Sequence, residues 1–226
     1  MLNKMEVSMK SCFSNTLAKS VVSLLCATML LLCSNNQKSK TVTIGDQVWM
    51  AENLNVDMFR NGDPIPHAQT AEEWRQAGEN GQPAWCYYDN DPANGKIYGK
   101  LYNWYAVSDW RGLAPEGWRI PSDEDWEKLI KLIGGEDVAG GKLKATDTTY
   151  WRGPNEGANN ETGFTGLPGG LYSGGSFDYL GSIGSWWSST GYSSNAWGRL
   201  MFYNGGGVYR NSFDQSCGFS VRCVRD

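Results

Sequence analysis

The chain has 226 residues, a length that fits one domain or one elaborated domain, with a formal net charge of −4 at pH 7. This acidic balance excludes nucleic acid and anionic lipid as bulk partner surfaces, because the protein has no excess positive charge to neutralise phosphates or headgroups. The 28 glycines and 11 tryptophans predict many tight turns around large aromatic anchors and little long regular structure.

The first predicted element is a secretory leader over residues 1–32. Three lysines precede an apolar run of about twelve residues, which is too short for a bilayer-spanning helix of roughly twenty. The leucines before Cys33 resemble a bacterial lipoprotein cleavage box, with Leu32 in place of the usual small residue. We therefore expect lipidation of Cys33 and a polar tether over residues 33–40, with ordinary secretion as the alternative.

A β-hairpin is predicted to open the domain, which spans residues 41–226. In "TVTIGDQVWM" the apolar residues alternate on both sides of Gly45-Asp46, which can supply the positive φ of a two-residue turn.

Two helices are predicted. The segment "YGKLYNWYAVSD" places apolar residues from Tyr98 to Tyr105 at the three-and-four spacing of a helix face. The segment "SDEDWEKLIKLIGG" repeats that spacing, with Ser122 as the N-cap, Asp125 three residues later and a glycine pair as the stop. Acids in a first turn interact favourably with the helix N-terminus, so the acidic run needs no catalytic role.

A loop-rich segment punctuated by glycine, asparagine and proline follows residue 140. A loop of this length usually has a function or a bound ion that holds it. Calcium is the candidate ion, since it takes six to eight oxygen ligands. Two segments are rich in oxygen-bearing side chains, "PNEGANNETG" in this loop and "YYDNDPANG" earlier in the chain. Metal-free turns made by the same residue types are the alternative. The candidate calcium ligands are Asp89, Asp91, Asn159, Asn160 and Glu161.

Short strands are predicted over "SWWSST", "AWGRLMFY", "GVYRNSFD" and "GFSVRCVRD", with the run of glycines at 205–207 as a hairpin loop. In the last strand, alternation places Phe219, Val221 and Cys223 inward and Arg222 outward. The fold class is therefore α+β, with two helices, small antiparallel sheets built from both chain ends and a long irregular lobe.

The folded domain keeps three cysteines, for which one disulfide and one free thiol is the simplest outcome in an oxidising compartment. We favour a disulfide between Cys86 and Cys223, because it would tie an early segment to the terminal strand, whereas Cys217 lies in a predicted turn. A zinc site is not predicted, because the chain has no CxxC pair and His67 is its single histidine.

Six ordered blocks resemble the Fibrobacter succinogenes major paralogous domain over Val42 to Asp226. They are "QVWMAENL", "YYDNDPANGKIYGKLYNWYAV", "GLAPEGWRIPSDEDWEKL", "NETGFTGLPGG", "WWSST" and "GFSVRCVRD". The resemblance implies a secreted or lipid-anchored bacterial protein with a C-type-lectin-like scaffold, distantly similar to formylglycine-generating domains. Some members carry a cysteine where this chain has Ala114, which leaves Cys86 as the partner that the resemblance favours for Cys223.

Aromatic side chains are candidate ligand contacts, because an exposed ring can stack on a sugar. Trp186 and Trp187 are consecutive in a strand and must point to opposite faces, so one can enter the core while the other does not. Core packing is the alternative for such rings, and we expect it of Trp104, Trp118 and Trp126. The candidate ligand-binding residues are Trp187, Trp197, Tyr172, Tyr179 and Tyr203.

An enzyme is the competing class. Formylglycine-generating relatives bind copper with a cysteine pair, but no comparable block surrounds Cys217 and Cys223, and no nucleophile elbow accompanies His67. We therefore predict a non-enzymatic binding module at the bacterial cell envelope, as an outer-membrane lipoprotein or a secreted protein. It would recognise glycan or a cell-surface protein, and would meet the membrane only through its lipid anchor. No cofactor other than calcium is predicted. The alternatives are a formylglycine-generating-like oxidoreductase and a structural or adhesin subunit of a surface assembly.

Overall fold

The computed structural model describes residues 40–226, which form a mixed α/β fold with several small antiparallel sheets and short helices. The predicted leader, the lipidation at Cys33 and the tether up to residue 39 lie outside the described residues. Within the described range, none of the helices has the length and apolar character needed to cross a membrane.

Both ends of the domain meet in a four-stranded sheet. Its strands are β1 (Thr41–Ile44), β2 (Gln47–Met50), β5 (Trp118–Arg119) and β11 (Val224–Arg225). The order is β1-β2-β11-β5, with every neighbouring pair antiparallel. Gly45 has a φ of 63° in the turn between β1 and β2, so the predicted hairpin and the pairing of both chain ends are confirmed. The last strand is shorter than predicted, because residues 218–220 form only isolated bridges.

A second sheet contains the longer strands. They are β8 (Ile183–Tyr192), β9 (Asn195–Phe202) and β10 (Tyr209–Asp214). They form an antiparallel meander in which Leu200 pairs with Tyr209, so the glycine run at 205–207 connects two neighbouring strands as predicted. Two smaller hairpin-like sheets pair β3 (Trp85–Cys86) with β4 (Leu101–Tyr102), and β6 (Leu171–Ser173) with β7 (Ser176–Asp178).

The described residues contain five short α-helices. They are α1 (Ala71–Glu79), α2 (Pro92–Tyr98), α3 (Trp104–Val107), α4 (Asp123–Leu132) and α5 (Glu136–Leu143). The start of α4 is confirmed: the Ser122 hydroxyl accepts from the Asp125 backbone N–H at 3.2 Å, and the Asp125 carboxylate accepts from the Ser122 N–H at 2.7 Å. The helix ends before Gly134, whose φ of 112° confirms the predicted stop.

The other helix prediction is wrong, because the segment from Tyr98 onward does not form one continuous helix. Gly99 ends α2 with a φ of 77°, β4 follows, and α3 begins after Asn103, whose side chain accepts from the Ala106 N–H. The helix-like spacing is thus shared among three elements. Three helices were also missed, α1, α5 and α2, and only the last residue of α2 lies in the predicted segment. In α5, Gly140 has low helix propensity, but a side chain there would collide with the Gly207 carbonyl.

Two aromatic cores lie on opposite faces of β8. Trp186 packs in one core with Trp49 and Trp126, whose ring centroids are 4.9 Å apart. Trp187 packs in the other, stacked on Phe219 at 4.3 Å. The two indoles do point to opposite faces, as predicted, but both are fully buried because each face of the sheet is covered.

Arg222 points inward, so its predicted outward orientation is wrong. Its Nε and Nη2 donate to Asn53 Oδ1 at 3.1 and 2.7 Å, and its guanidinium lies 4.2 Å from the ring centroid of Phe164. Phe219, Val221 and Cys223 are buried as predicted. Side chains on both faces of this segment are therefore buried, so alternation alone could not predict whether Arg222 is exposed.

The predicted disulfide between Cys86 and Cys223 is also wrong. Cys86, Cys217 and Cys223 are buried free thiols. Cys86 packs with Trp74, whereas Cys223 belongs to a different core. Burial raises the pKa of the Cys223 thiol to about 12, and it also raises the pKa of Cys86 and of Cys217. The spacing of cysteines in the sequence does not reveal the distance between them in the fold, because tertiary packing determines it.

A buried lysine holds the irregular lobe between α5 and β8. Lys144 is fully buried, and its Nζ donates to the carbonyl oxygens of Glu156, Phe202 and Gly205 at 2.8, 2.9 and 2.9 Å. Burial lowers the pKa of this amine to about 8. The Lys144 ammonium thus joins the irregular lobe to the end of β9 and to the glycine run at 205–207.

Candidate functional site

The four acids of residues 123–127 do not converge on one site. The Asp125 carboxylate accepts from the Ser122 N–H and pairs with Arg119, whose Nη2 lies 2.9 Å from Asp125 Oδ1. Burial opposes ionisation of Asp125, but the hydrogen bonds from Arg119 and Ser122 outweigh it and lower the pKa. The Asp125 carboxylate therefore caps α4 and holds the Arg119 side chain in place.

Asp123 turns the opposite way, toward two arginines of the second sheet. Its Oδ1 lies 2.7 Å from Nη1 of the fully buried Arg199, and its Oδ2 lies 2.7 Å from Nη2 of Arg210. Burial would raise the pKa of Asp123, but the hydrogen bonds from both arginines lower it. The predicted helix-start role of the acidic run is confirmed, and Asp123 additionally neutralises a buried cation.

The predicted calcium ligands make local hydrogen bonds in their two segments. Asp91 caps α2 by accepting from the Ala93 N–H. The Asn160 side chain exchanges two hydrogen bonds with Thr165. Glu161 pairs with Lys142 at 2.8 Å.

The remaining candidate calcium ligands also lie in turns. Asp89 is exposed in a left-handed conformation, and Asn159 accepts from the Glu161 N–H. No group of three or more His, Cys, Asp or Glu side chains within residues 40–226 is placed to share a metal ion. Both segments form turns through these local hydrogen bonds, and calcium binding there stays a prediction.

Two of the predicted aromatic contacts are core residues, and for Trp187, which has no exposed surface, the prediction is wrong. Trp187 is fully buried, and its Nε1 donates to the carbonyl of Tyr102 at 2.9 Å. Tyr172 is 4% exposed and packs between Trp74 and Phe177. The Trp187 ring serves packing alone, because both faces of the sheet that carries it are covered.

The other three aromatic candidates reach the surface in separate settings. Trp197 is half-buried under the guanidinium of Arg210, which lies 3.4 Å from its ring centroid. Tyr203 is half-buried, with Arg152 5.4 Å from its ring centroid. Tyr179 is 58% exposed. These three rings line neither the cavity beside α1 nor those beside Arg222 and the β9–β10 loop.

A cleft of about 720 Å³ lies instead beside α1, a helix that was not predicted from the sequence. We call it the α1 cleft. Helix α1, α3, the β6–β7 turn and the end of β10 line it, and its volume is in the range of small-ligand sites. Trp74 and Tyr172 form its base, each 4% exposed, and the half-buried Tyr105 forms an accessible wall.

The start of α1 positions the base of the cleft. Thr70 and Glu73 form a reciprocal capping box, and Trp74 follows at once. The Trp74 Nε1 donates to the Ser216 carbonyl at 2.8 Å. "TAEEW" therefore repeats the pattern of "SDEDW" at α4, a cap, an acid three residues later and then a tryptophan, and this signal was present in the sequence.

The α1 cleft has polar groups without protein partners. Asp214 is exposed, and among residues 40–226 only its Oδ1 accepts a hydrogen bond, from the Ser216 N–H at 2.8 Å. Tyr105 and Asp214 line the same cleft. The pKa of Tyr105 is raised, first by burial and then by the negative charge of Asp214. The buried Tyr172 hydroxyl has no partner within the described residues. Of these groups, the exposed Asp214 carboxylate can hydrogen-bond a polar ligand through its Oδ2.

A further aromatic residue was missed on the surface. Trp110 is 87% exposed in the turn after α3, next to an ion pair between Asp109 and Arg111 at 2.8 Å. Its position between two charged residues in "SDWRG" was the available signal, since no apolar neighbours at strand or helix spacing accompany it.

The chain matches the model of one protein family, the Fibrobacter succinogenes major domain, over residues 42–225. These limits include all eleven strands except the first residue of β1 and include all five described helices. Comparison with curated proteins and with solved structures gives no match.

Proposed function

The chain belongs to the Fibrobacter succinogenes major domain family, and on that premise we propose that it is a non-enzymatic binding module of the bacterial cell envelope that recognises glycan. The predicted leader and Cys33 support export and lipid anchoring. The C-type-lectin-like relationship is part of the same proposal, supported by the two chain ends paired in one sheet and by the long irregular lobe.

The α1 cleft is the observation that carries the proposal. A sugar presents hydroxyl groups around an apolar ring face, so its site needs aromatic surface beside free hydrogen-bonding groups. The cleft offers the Tyr105 ring, the Asp214 carboxylate and the Ser216 hydroxyl over a base of Trp74 and Tyr172. These groups need no metal ion to bind a neutral polar ligand.

The cysteines support a non-enzymatic role. Copper chemistry of the formylglycine-generating kind needs thiolates, which are the metal-binding form of cysteine. All three described cysteines are buried, and Cys86 lies in a different core from Cys217 and Cys223. Each thiol contributes to core packing instead.

A glycan array with the purified full chain tests the proposal, followed by calorimetry with the strongest ligand. Tyr105→Ala should weaken binding about tenfold, because it removes an aromatic contact and a hydroxyl that together contribute about 1–3 kcal/mol. Tyr209→Ala is the matched control, since Tyr209 is exposed on β10 and does not line the cleft. An empty array, or equal affinities for the Tyr105 variant and the wild type, would contradict the assignment.

A surface protein is the second candidate ligand, favoured by Trp110. Tryptophan is enriched among the residues that dominate protein interfaces, and an indole exposed to 87% is costly to leave in water. An empty glycan array together with capture of an envelope protein that Trp110→Ala abolishes would favour this candidate.

A further inference from the structure

The wall of the α1 cleft is rich in negative charge. Three carboxylates line it, those of Glu72, Glu79 and Asp214, against the single guanidinium of Arg75. The whole chain is also acidic, with a formal net charge of −4. An anionic sugar such as a uronate would therefore be repelled on approach, whereas a cationic one would be attracted.

The one cation of the wall is fully engaged by its own helix. The Nε and Nη2 atoms of Arg75 donate to Glu72 at 2.9 and 2.6 Å, and Nη1 donates to Glu79 at 2.5 Å. The hydrogen bonds from Arg75 and Gln76 lower the pKa of Glu72 to about 2, so this carboxylate remains charged at physiological pH. Arg75 thus orders two carboxylates and has little capacity left for an anion.

Asp214 is the carboxylate available to a ligand. Its Oδ1 forms the turn to Ser216, and its Oδ2 accepts no hydrogen bond from residues 40–226. It lines the same cleft as Tyr105 and the largely apolar base made by Trp74 and Tyr172. Attraction between opposite charges is stronger beside such a low-dielectric surface than in open water.

We propose that the α1 cleft selects glycans that carry protonated amino groups, such as oligomers of glucosamine, with Asp214 as the group that pairs with the ammonium. This inference rests on the proposed glycan-binding function and names the chemical class of its ligand. N-acetylation of the same sugar removes the positive charge of the amino group and leaves the ring and its hydroxyls intact. The two forms therefore separate recognition of charge from recognition of sugar.

Calorimetry with the full chain should compare a glucosamine hexamer with an N-acetylglucosamine hexamer, at a pH at which the amines are protonated. We expect the glucosamine hexamer to bind about tenfold more tightly. The preference should largely disappear near 1 M salt, where screening acts over about 3 Å. Asp214→Asn should reduce the preference to about threefold or less, because the asparagine oxygen can still accept from Ser216 while the charge is lost.

Asp89→Asn is the matched control, since Asp89 is exposed in a left-handed turn that asparagine tolerates and does not line the cleft. It should leave the preference unchanged. Equal binding of the two hexamers would overturn the inference and leave the proposed function intact. Binding of neither hexamer and of no other glycan would instead overturn the proposed function. A preference that survives Asp214→Asn would overturn the role of this carboxylate.

Discussion

Asp123 illustrates how one side chain can serve both a helix and the sheet beneath it. It lies in the first turn of α4, where a carboxylate is favourable, and it is the ion-pair partner of the fully buried Arg199. A buried guanidinium without a counter-charge is strongly unfavourable, so the pair is retained although both groups lose water.

Asp123→Asn should therefore destabilise the protein by about 3–5 kcal/mol, because Arg199 keeps its buried charge without a partner. Urea unfolding measures the loss. Glu124→Gln is the matched control, since Glu124 is the exposed next residue of the same helix turn, and it should change stability by no more than about 0.5 kcal/mol.

The difference between wild type and Asp123→Asn should also depend on pH. The pKa of Asp123 is lowered in the folded state from its ordinary value of 3.8, so ionisation stabilises the fold above that pH. As the pH falls through the lowered pKa, the stabilisation is lost and the difference should shrink. A difference that is constant from pH 6 to acid denaturation would contradict this role.

At the scale of elements, the most consequential contact is the one that Lys144 makes at the end of α5. Its ammonium joins the turn at Glu156, the end of β9 and the glycine loop before β10 through three carbonyl oxygens. A side chain fixed by the backbone can thus order a segment that has few regular hydrogen bonds of its own.

Lys144→Met should lower the free energy of unfolding by about 2–4 kcal/mol, because methionine fills the space but leaves the three carbonyls without their donor. Lys128→Met is the matched control, since the Lys128 side chain is exposed and its ion pair with Asp46 lies on the surface. Chemical unfolding of both variants compares them directly. Equal stability of the two variants would show that the lysine does not hold the lobe.

The effect of Lys144→Met should grow with pH. The pKa of Lys144 is lowered from 10.5 to about 8 in the folded state, so between these values the unfolded chain binds the extra proton. The cost of burying the charge is fully present below about pH 8 and is relieved as the pH rises above it. Wild type should therefore gain stability relative to the variant over this interval.

At the scale of the whole molecule, stability comes from three hydrophobic cores, two of which share β2 and β8. Trp49 and Trp186 contribute to one core, and Met50 and Trp187 to the other. Since consecutive residues of a strand supply different cores, the cores are coupled through the strands that separate them. The three described cysteines pack in the cores as apolar side chains and form no disulfide.

Dithiothreitol should therefore leave the thermal midpoint unchanged. A structural disulfide contributes about 2–5 kcal/mol, so its reduction would lower the midpoint by several degrees. Alkylation of the unreduced, denatured chain should label Cys86, Cys217 and Cys223. A lower midpoint in dithiothreitol, or protection of two of these thiols, would show that a disulfide forms.

The sequence was informative where the responsible contacts are local. A turn glycine predicted the first hairpin and a capping box predicted the start of α4, because neighbouring residues determine these features. The same rule could have predicted α1 from Thr70 and Glu73. Of the aromatic residues predicted to contact a ligand, only some reach the surface, since residue spacing does not reveal which face of a strand is covered by other elements.

The sequence by itself determined the family, the mixed α/β class with small antiparallel sheets and the role of the acidic run as a helix start, since each depends on local order along the chain. Tertiary structure decided that Trp187 and Arg222 are buried, that the cysteines remain apart and that α1 meets β10 to form a cleft. These outcomes depend on which surfaces meet across long stretches of sequence. Burial on the second face of a strand is a property of its neighbours, and no local pattern encodes it.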